Sequence, residues 1–328
     1  GAGVLAEMVL VGRNGEPVAA LAHLERSFTD HLVVMRDGDV IAEWLSGNAD
    51  PSRPHLVFSI SKSITGLLAG IAAADGMLDQ DALVPAYVPS MQGSGYATAR
   101  VRDLLDMTVF VDFDEEYLDD GGAFDRYRRA MLWNPERPDA TPETMESFLS
   151  TLGTTGAHGR RFYYASPNTD LLGLVVERAT GTRFHRYMAE RLWQPMGAKG
   201  AACVTVDRAG TARAAGGICV TTRDLARLGQ LVLDGGRARS GRQVVTEDWI
   251  TDMRMNGDRR AWVDGNFADM FANGRYRSCW YDVGDGRGSF AAVGIHGQWL
   301  WVDPTNRVII AKTSSRPAPS DDDETALE

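Results

Sequence analysis

The chain has 328 residues, of which 44% are hydrophobic and 24% charged, an ordinary globular composition that excludes disorder and fibre. Its formal charge of −10 and pI near 5.2 would repel a phosphate backbone, so nucleic acid is not an expected partner. Three cysteines, Cys203, Cys219 and Cys279, form no CxxC pair and support neither a zinc ribbon nor a disulfide framework.

In chain order, Met8 to Val11 is too short for a secretory leader and has no basic cluster before it, and the expected compartment is the cytoplasm. His31 to Trp44 holds two β-rich runs around Asp37-Gly38, a hairpin pattern. Ser59 precedes a buried helix carrying Ile60, Ile64, Leu67, Leu68 and Ile71, thinned at Gly66 and Gly70 and ending near Gly76. The apolar stretch Gly66 to Ala74 is far short of the roughly 20 residues of a membrane span, so no membrane partner is expected. Helices are predicted over 101–107, 142–152, 169–179, 184–193 and 222–233, and strands over 278–283, 289–295, 299–303 and 308–313. The stretch Ser320 to Glu324 reads as a solvated tail. Strands at both ends with helices between predict an α+β fold: an antiparallel sheet built from both chain ends, flanked by helices, with a helical lobe inserted. The expected division is 1–90 and 205–328 for the sheet lobe and 91–204 for the helical lobe, with the site at their interface.

Only three of the 34 basic residues are lysines, Lys62, Lys199 and Lys312, so each lysine asks for a reason. Ser59-Ile60-Ser61-Lys62 places a hydroxyl at a helix start and an amine one turn later on the same face. An amine can activate serine once its pKa falls from about 10.4, and a drop of ~3 units corresponds to about 4 kcal/mol, within the reach of burial. The helix N-terminus adds N–H groups where an oxyanion would form. The competing reading has Ser59 capping the helix and Lys62 decorating its first turn.

Amide cleavage also needs a proton donor for the leaving group, and Tyr164, just ahead of Ser166-Pro167, is the candidate; the competing reading is an aromatic core residue. Val293 to Gln298 suits an edge strand whose glycines let backbone approach a ligand, with the Ile295 and Ser59 N–H groups as an oxyanion hole. There His296 either lines the site or faces solvent. Asp112, Asp114, Glu115 and Glu116 lack the order of a calcium loop and read as a solvated loop. Gly284 to Gly288 has the wrong spacing for a dinucleotide fingerprint and reads as a hairpin loop. No metal and no cofactor is expected.

These residues resemble the serine β-lactamase and penicillin-recognising enzyme superfamily on its class C side, and within it the nylon-oligomer amidases. The resemblance rests on Phe58-Ser-Ile-Ser-Lys-Ser63, Leu104-Leu-Asp-Met107, Glu116-Tyr117, Tyr164-x-Ser-x-Asn-Thr-Asp170, Arg223-Asp-Leu-Ala-Arg227 and Gly294-Ile-His-Gly-Gln298, spanning about residues 30 to 315. It implies a β-lactamase-like fold, Ser59 as nucleophile, Lys62 as base, Tyr164 as proton shuttle, and the Ser59 and Ile295 amides as oxyanion hole. It also implies substrate contact from Tyr117 and Trp133 on a mobile loop, and Ser166 in place of the usual asparagine as second polar group. Ala292-Val293-Gly294 stands where β-lactamases carry Lys-Thr-Gly, so β-lactam turnover should be poor, and Lys312-Thr313-Ser314 reads as structural. The family's long C-terminal helix has little counterpart after Pro319; either the chain was cut or the sheet is covered otherwise.

The expectation is a serine hydrolase, an amidase or esterase, acting through an acyl-enzyme on a small linear amide or ester, as a monomer or homodimer. A transacylase passing the acyl group to an amine is the second reading, and a non-catalytic sensor the third. Tyr117, Trp133 and Trp299 favour a partly apolar substrate, and Arg126, Arg128 or Arg129 could meet an acidic group.

Overall fold

The computed structural model describes residues 2–12, 15–118 and 121–320. All of the tail from Asp321 onward lies outside the described residues. The chain begins with α1 (Ala2–Glu7), a hairpin of β1 (Val9–Val11) and β2 (Pro17–Ala19), and α2 (Ala20–Arg26). Then come β3 (Thr29–Arg36), β4 (Asp39–Leu45), β5 (His55–Leu56) and α3 (Ile60–Ala74). Helices α4 (Val101–Leu105), α5 (Ala123–Ala130), α6 (Met145–Leu149), α7 (Ser166–Thr180) and α8 (Phe184–Met188) follow. After them run β6 (Cys203–Val204), β7 (Ile218–Val220), α9 (Thr222–Leu233), α10 (Glu247–Met255) and α11 (Arg259–Val263). The chain closes with β8 (Arg275–Arg277), β9 (Trp280–Asp282), β10 (Phe290–Gly294), β11 (Gln298–Asp303) and β12 (Val308–Ser314).

Seven strands form one antiparallel sheet in the order β4-β3-β12-β11-β10-β9-β8, so β12 from the end of the chain pairs with β3 from its beginning. Both chain ends thus build the sheet, as the α+β reading expects. The β3–β4 turn holds Asp37 and Gly38 at φ +50 and +86, the paired left-handed conformation that an Asp-Gly hairpin supplies. One sheet face carries α3 and α9. The other, through Leu32, Ala42 and Trp44, packs against Leu5 of α1 and Leu24 of α2. Among the described residues, these N-terminal helices are what covers this face.

Helix α3 reaches deep into the core because its glycines are thin: a Cβ on Gly66 would sit 2.3 Å from the Ser278 carbonyl, and one on Gly70 2.6 Å from the Trp249 ring. Helix α9 runs over the predicted span and is opened by Thr221, whose Oγ1 accepts the Asp224 N–H at 3.2 Å. Other spans differ. The predicted strand 278–283 is split, because Ser278 and Cys279 turn left-handed (φ +50 and +67) and join β8 to β9 as a hairpin. Tertiary bonds impose that turn: Ser278 N–H donates to Asp106 and Cys279 N–H to the Leu105 carbonyl. The predicted helix 142–152 shortens to α6, which starts only at its Thr144 cap. The predicted helix 184–193 passes from α8 into a π-turn over Ala189–Trp193. The small sheet β5-β7-β6 carries too little alternation to be read from sequence, yet it holds the segment leading into α3.

Candidate active site

The site begins where β5 runs into α3. Val57 N–H donates to the Ile218 carbonyl of β7, fixing the approach, and Phe58 then takes a left-handed backbone (φ +45) that a phenylalanine rarely adopts. Ser59 follows, and its side chain makes no capping bond to α3. Its Oγ lies 2.8 Å from Lys62 Nζ and accepts the Tyr164 hydroxyl at 2.7 Å. The capping alternative for Ser59 is therefore set aside by geometry.

Lys62 is buried, 2% exposed, and its Nζ also donates to the Ala215 carbonyl at 2.9 Å. Burial draws its pKa down to about 8; Arg213 adds to the lowering, and Glu115 and Asp170 oppose it. Tyr164 precedes α7. Its N–H donates to Asn266 Oδ1, and its ring stacks on Phe267 at 4.5 Å and 14°. Lys62 Nζ stands 4.8 Å from the centre of that ring. Burial, helped by Glu115, drives the phenol far above its ordinary range, so it stays protonated as a donor.

Ser166 opens α7 and spends both its N–H and its Oγ on the Glu115 carboxylate, at 2.6 and 2.5 Å. Glu115 also accepts the Tyr117 hydroxyl at 3.1 Å, and the Tyr117 ring packs edge-on against Phe124. Sequence reading missed Glu115, taking it for a solvated loop carboxylate; the structure half-buries it beside the reacting groups. The available signal is Glu115-x-Tyr117, a spacing that puts both side chains on one side of an extended segment. Among the described residues no group of three or more acidic, histidine or cysteine side chains could hold a metal ion.

A second buried set lies behind Lys62. Asp170, one turn into α7, accepts the Ala215 N–H at 2.8 Å and bonds Arg213 and the Tyr127 hydroxyl. The Arg213 guanidinium lies over the rings of Tyr127 and Trp133, and Trp133 Nε1 donates to Thr205 Oγ1. Ala215 thus connects the two sets, its N–H held by Asp170 and its carbonyl held by Lys62.

The last wall is the β10–β11 turn. Gly294 passes so close to the segment leading into α3 that a Cβ there would stand 2.5 Å from the Val57 carbonyl oxygen, two residues before Ser59. His296 is left-handed (φ +64), and its Nδ1 pairs with the Arg316 carbonyl while its ring packs on Phe58 at 4.9 Å. Phe58 also meets Trp133 edge-on at 6.2 Å. Other suggested residues fall elsewhere. Trp299 is buried in β11 opposite Lys312 and Val293, and Lys312 points its Nζ at the Gly297 carbonyl. Arg126 is committed to Glu143 and Arg129 to Asp125, so these two already have the carboxylates a substrate acid would replace. A cavity of about 730 Å³ between the β3–β4 turn and α9 contains none of the predicted site residues.

Comparison with known proteins places the chain in a family. The family model described as Beta-lactamase matches residues 18–328. The chain is 38% identical over 296 residues to the 6-aminohexanoate-dimer hydrolase of Paenarthrobacter ureafaciens, covering 90% of this chain and 75% of that protein. A Bacillus anthracis structure titled as a candidate 6-aminohexanoate-dimer hydrolase superposes with a TM-score of 0.89 at 23% identity, covering 98% of this chain and 82% of that one. EstCE1, a hydrolase with promiscuous acyltransferase activity, shares the fold at a TM-score of 0.70 and 15% identity, over 90% and 91% of the two chains. By sequence and by architecture, the chain belongs to the beta-lactamase family.

Proposed function

We propose that this chain is a serine hydrolase that cleaves a small linear amide or ester through an acyl-enzyme, at a site between the sheet lobe (1–90 and 205–328) and the helical lobe (91–204). The observation that carries the reading is Ser59 Oγ held at 2.8 Å from the Nζ of a buried lysine and at 2.7 Å from a buried phenol. Neutral Lys62 takes the Ser59 proton as Oγ attacks the substrate carbonyl. The N–H groups of Ser59 and Ile295 receive the oxyanion, which the close approach of Gly294 to Val57 supports. Tyr164, kept protonated by burial, gives its proton to the leaving amine or alcohol and regains one from Lys62. Water then enters by the same route in reverse and releases the acid.

Tyr117 and Trp133 flank the substrate in this reading, and His296 lines the rim through its contact with Phe58. Ser166 acts through Glu115, to which both its N–H and its Oγ donate. The 38% identity to a 6-aminohexanoate-dimer hydrolase makes a linear amide of an amino acid the first substrate to try. The half-buried rings of Phe58 and Trp133, and Phe267 stacked on Tyr164, favour one further reading, transfer of the acyl group to an amine, since apolar surroundings disfavour water as the acceptor.

Intact-mass analysis after an activated ester or a fluorophosphonate tests the assignment. One adduct per chain on the parent and none on Ser59→Ala is the expected result; an equal adduct on Ser59→Ala overturns it. Repeating turnover with saturating amine separates hydrolysis from acyl transfer by the mass of the product.

A further inference from the structure

Two of the three cysteines stand directly opposite one another in the small sheet that braces the nucleophile. Cys203 of β6 is in register with Cys219 of β7, and Val204 with Ile218. Directly opposed residues on antiparallel strands have Cα atoms roughly 4.5–5.5 Å apart and side chains on one face, within the span of about 4.4–6.8 Å that disulfides occupy. Both thiols are free, Cys203 is exposed and Cys219 half-buried, and Cys219 Sγ lies 4.0 Å from the Gly217 carbonyl oxygen. Cys279 is set apart: it is buried, with its Sγ on the Leu105 carbonyl.

We propose that Cys203 and Cys219 are a modification site that takes up a cross-strand disulfide from a small disulfide oxidant, leaving Cys279 reduced. The exposed Cys203, as thiolate, attacks the S–S bond of the oxidant, joins one of its sulfurs and releases the other as a thiol. Cys219 then loses its proton and attacks Cys203 Sγ; the Cys203–Cys219 bond forms and the second oxidant thiol leaves. Two protein thiols are oxidised by two electrons, and one small disulfide is reduced to two thiols. Cys219 is the slow partner, because burial and the neighbouring Cys203 hold its thiol well above the ordinary range.

The location gives the bond a consequence. On its other edge β7 pairs with β5, where Leu56 faces Cys219, and its Ile218 carbonyl accepts the Val57 N–H two residues before Ser59. The Ile218 N–H donates to Ser61 Oγ at 3.0 Å, inside α3. A bond across β6 and β7 therefore ties down the strand to which the entry to Ser59 is fastened. It removes loop-closure freedom from the unfolded chain and leaves the reacting groups where they stand.

The test uses the full chain incubated with oxidised glutathione and, separately, with a thiol reductant. Both samples are then alkylated under denaturing conditions and mapped by peptide mass. The expected oxidised product lacks two hydrogens in a Cys203–Cys219 linked peptide and carries an alkyl group on Cys279 alone. Its melting temperature rises by about 3–6 °C over the reduced form, and the rise is absent in Cys203→Ser and in Cys219→Ser. A stable glutathione adduct at Cys203, a linkage through Cys279, a Cys203–Cys203 dimer, or full alkylation of all three cysteines after oxidation would each overturn the proposal. The readout is covalent, so it does not depend on the enzyme's substrate.

Discussion

At the scale of single residues the decisive quantity is the protonation of Lys62. With its pKa drawn down to about 8, only the fraction of molecules carrying a neutral amine can accept the serine proton in the proposed mechanism. That fraction rises with pH. Below pH 8, kcat/KM should therefore fall about tenfold per pH unit, with a plateau above; a flat profile from pH 6 to 9 would remove Lys62 from the role of base. Glu115 raises the lysine's pKa through its negative charge, so Glu115→Gln should move the acid limb to lower pH. The same change breaks the clamp on Ser166, and a drop in kcat of about tenfold is expected beside the shift. Steady-state rates across pH for parent and variant show both effects in one experiment. A variant that loses activity but keeps the parent's limb would mean that Glu115 acts by position alone.

At the scale of elements, the site depends on segments that approach more closely than side chains normally allow. Gly294 lets the end of β10 lie against Val57, and a methyl group there meets backbone rather than a movable side chain. If the Ile295 amide serves the proposed oxyanion hole, Gly294→Ala should displace it and lower kcat by about 10²-fold. KM should change far less, and steady-state kinetics reads the split. The two glycines of α3 make a contrasting pair. At Gly66 the obstacle is the Ser278 carbonyl, at Gly70 the Trp249 ring. Gly66→Ala should cost about 1–3 kcal/mol in urea unfolding. Gly70→Ala should cost less, since an indole can shift where a carbonyl cannot. Equal losses at both positions would contradict this account of how α3 is seated.

Across the whole molecule, the buried pair Asp170–Arg213 joins α7 of the central helical region to the loop that leads into β7. Asp170 is fully buried, and it also holds the Ala215 amide whose peptide partner, the Ala215 carbonyl, orients Lys62. Asp170→Asn leaves Arg213 as an uncompensated buried charge and should cost about 3–5 kcal/mol of stability, read from the denaturation midpoint. Restoring the carboxylate as Asp170→Glu should recover part of it. The sheet closes in the same long-range manner. Because β12 lies between β3 and β11, its contacts bring the two ends of the sequence together, and the face opposite α3 and α9 is covered by α1 and α2.

Local chemistry in the sequence was enough for some of this. Asp37-Gly38 specifies its hairpin because few other pairs tolerate two left-handed residues, and Thr221 with the apolar spacing behind it specifies α9. Ser59 and Lys62, three residues apart at a helix start, have to share a face. Tyr164 could be put ahead of a helix by Ser166-Pro167, but only the tertiary structure brought its hydroxyl to Ser59. Sequence had no means of finding the left-handed turn at Ser278 and Cys279, which comes from Asp106 and Leu105 far away in the chain. Nor could it find the half-burial of Glu115, the Asp170–Arg213 pair or the meeting of Cys203 with Cys219. Periodicity and capping act over a few residues and are written in order along the chain. Burial, charge pairing and strand register join residues tens to hundreds of positions apart, and these are settled only when the whole chain packs.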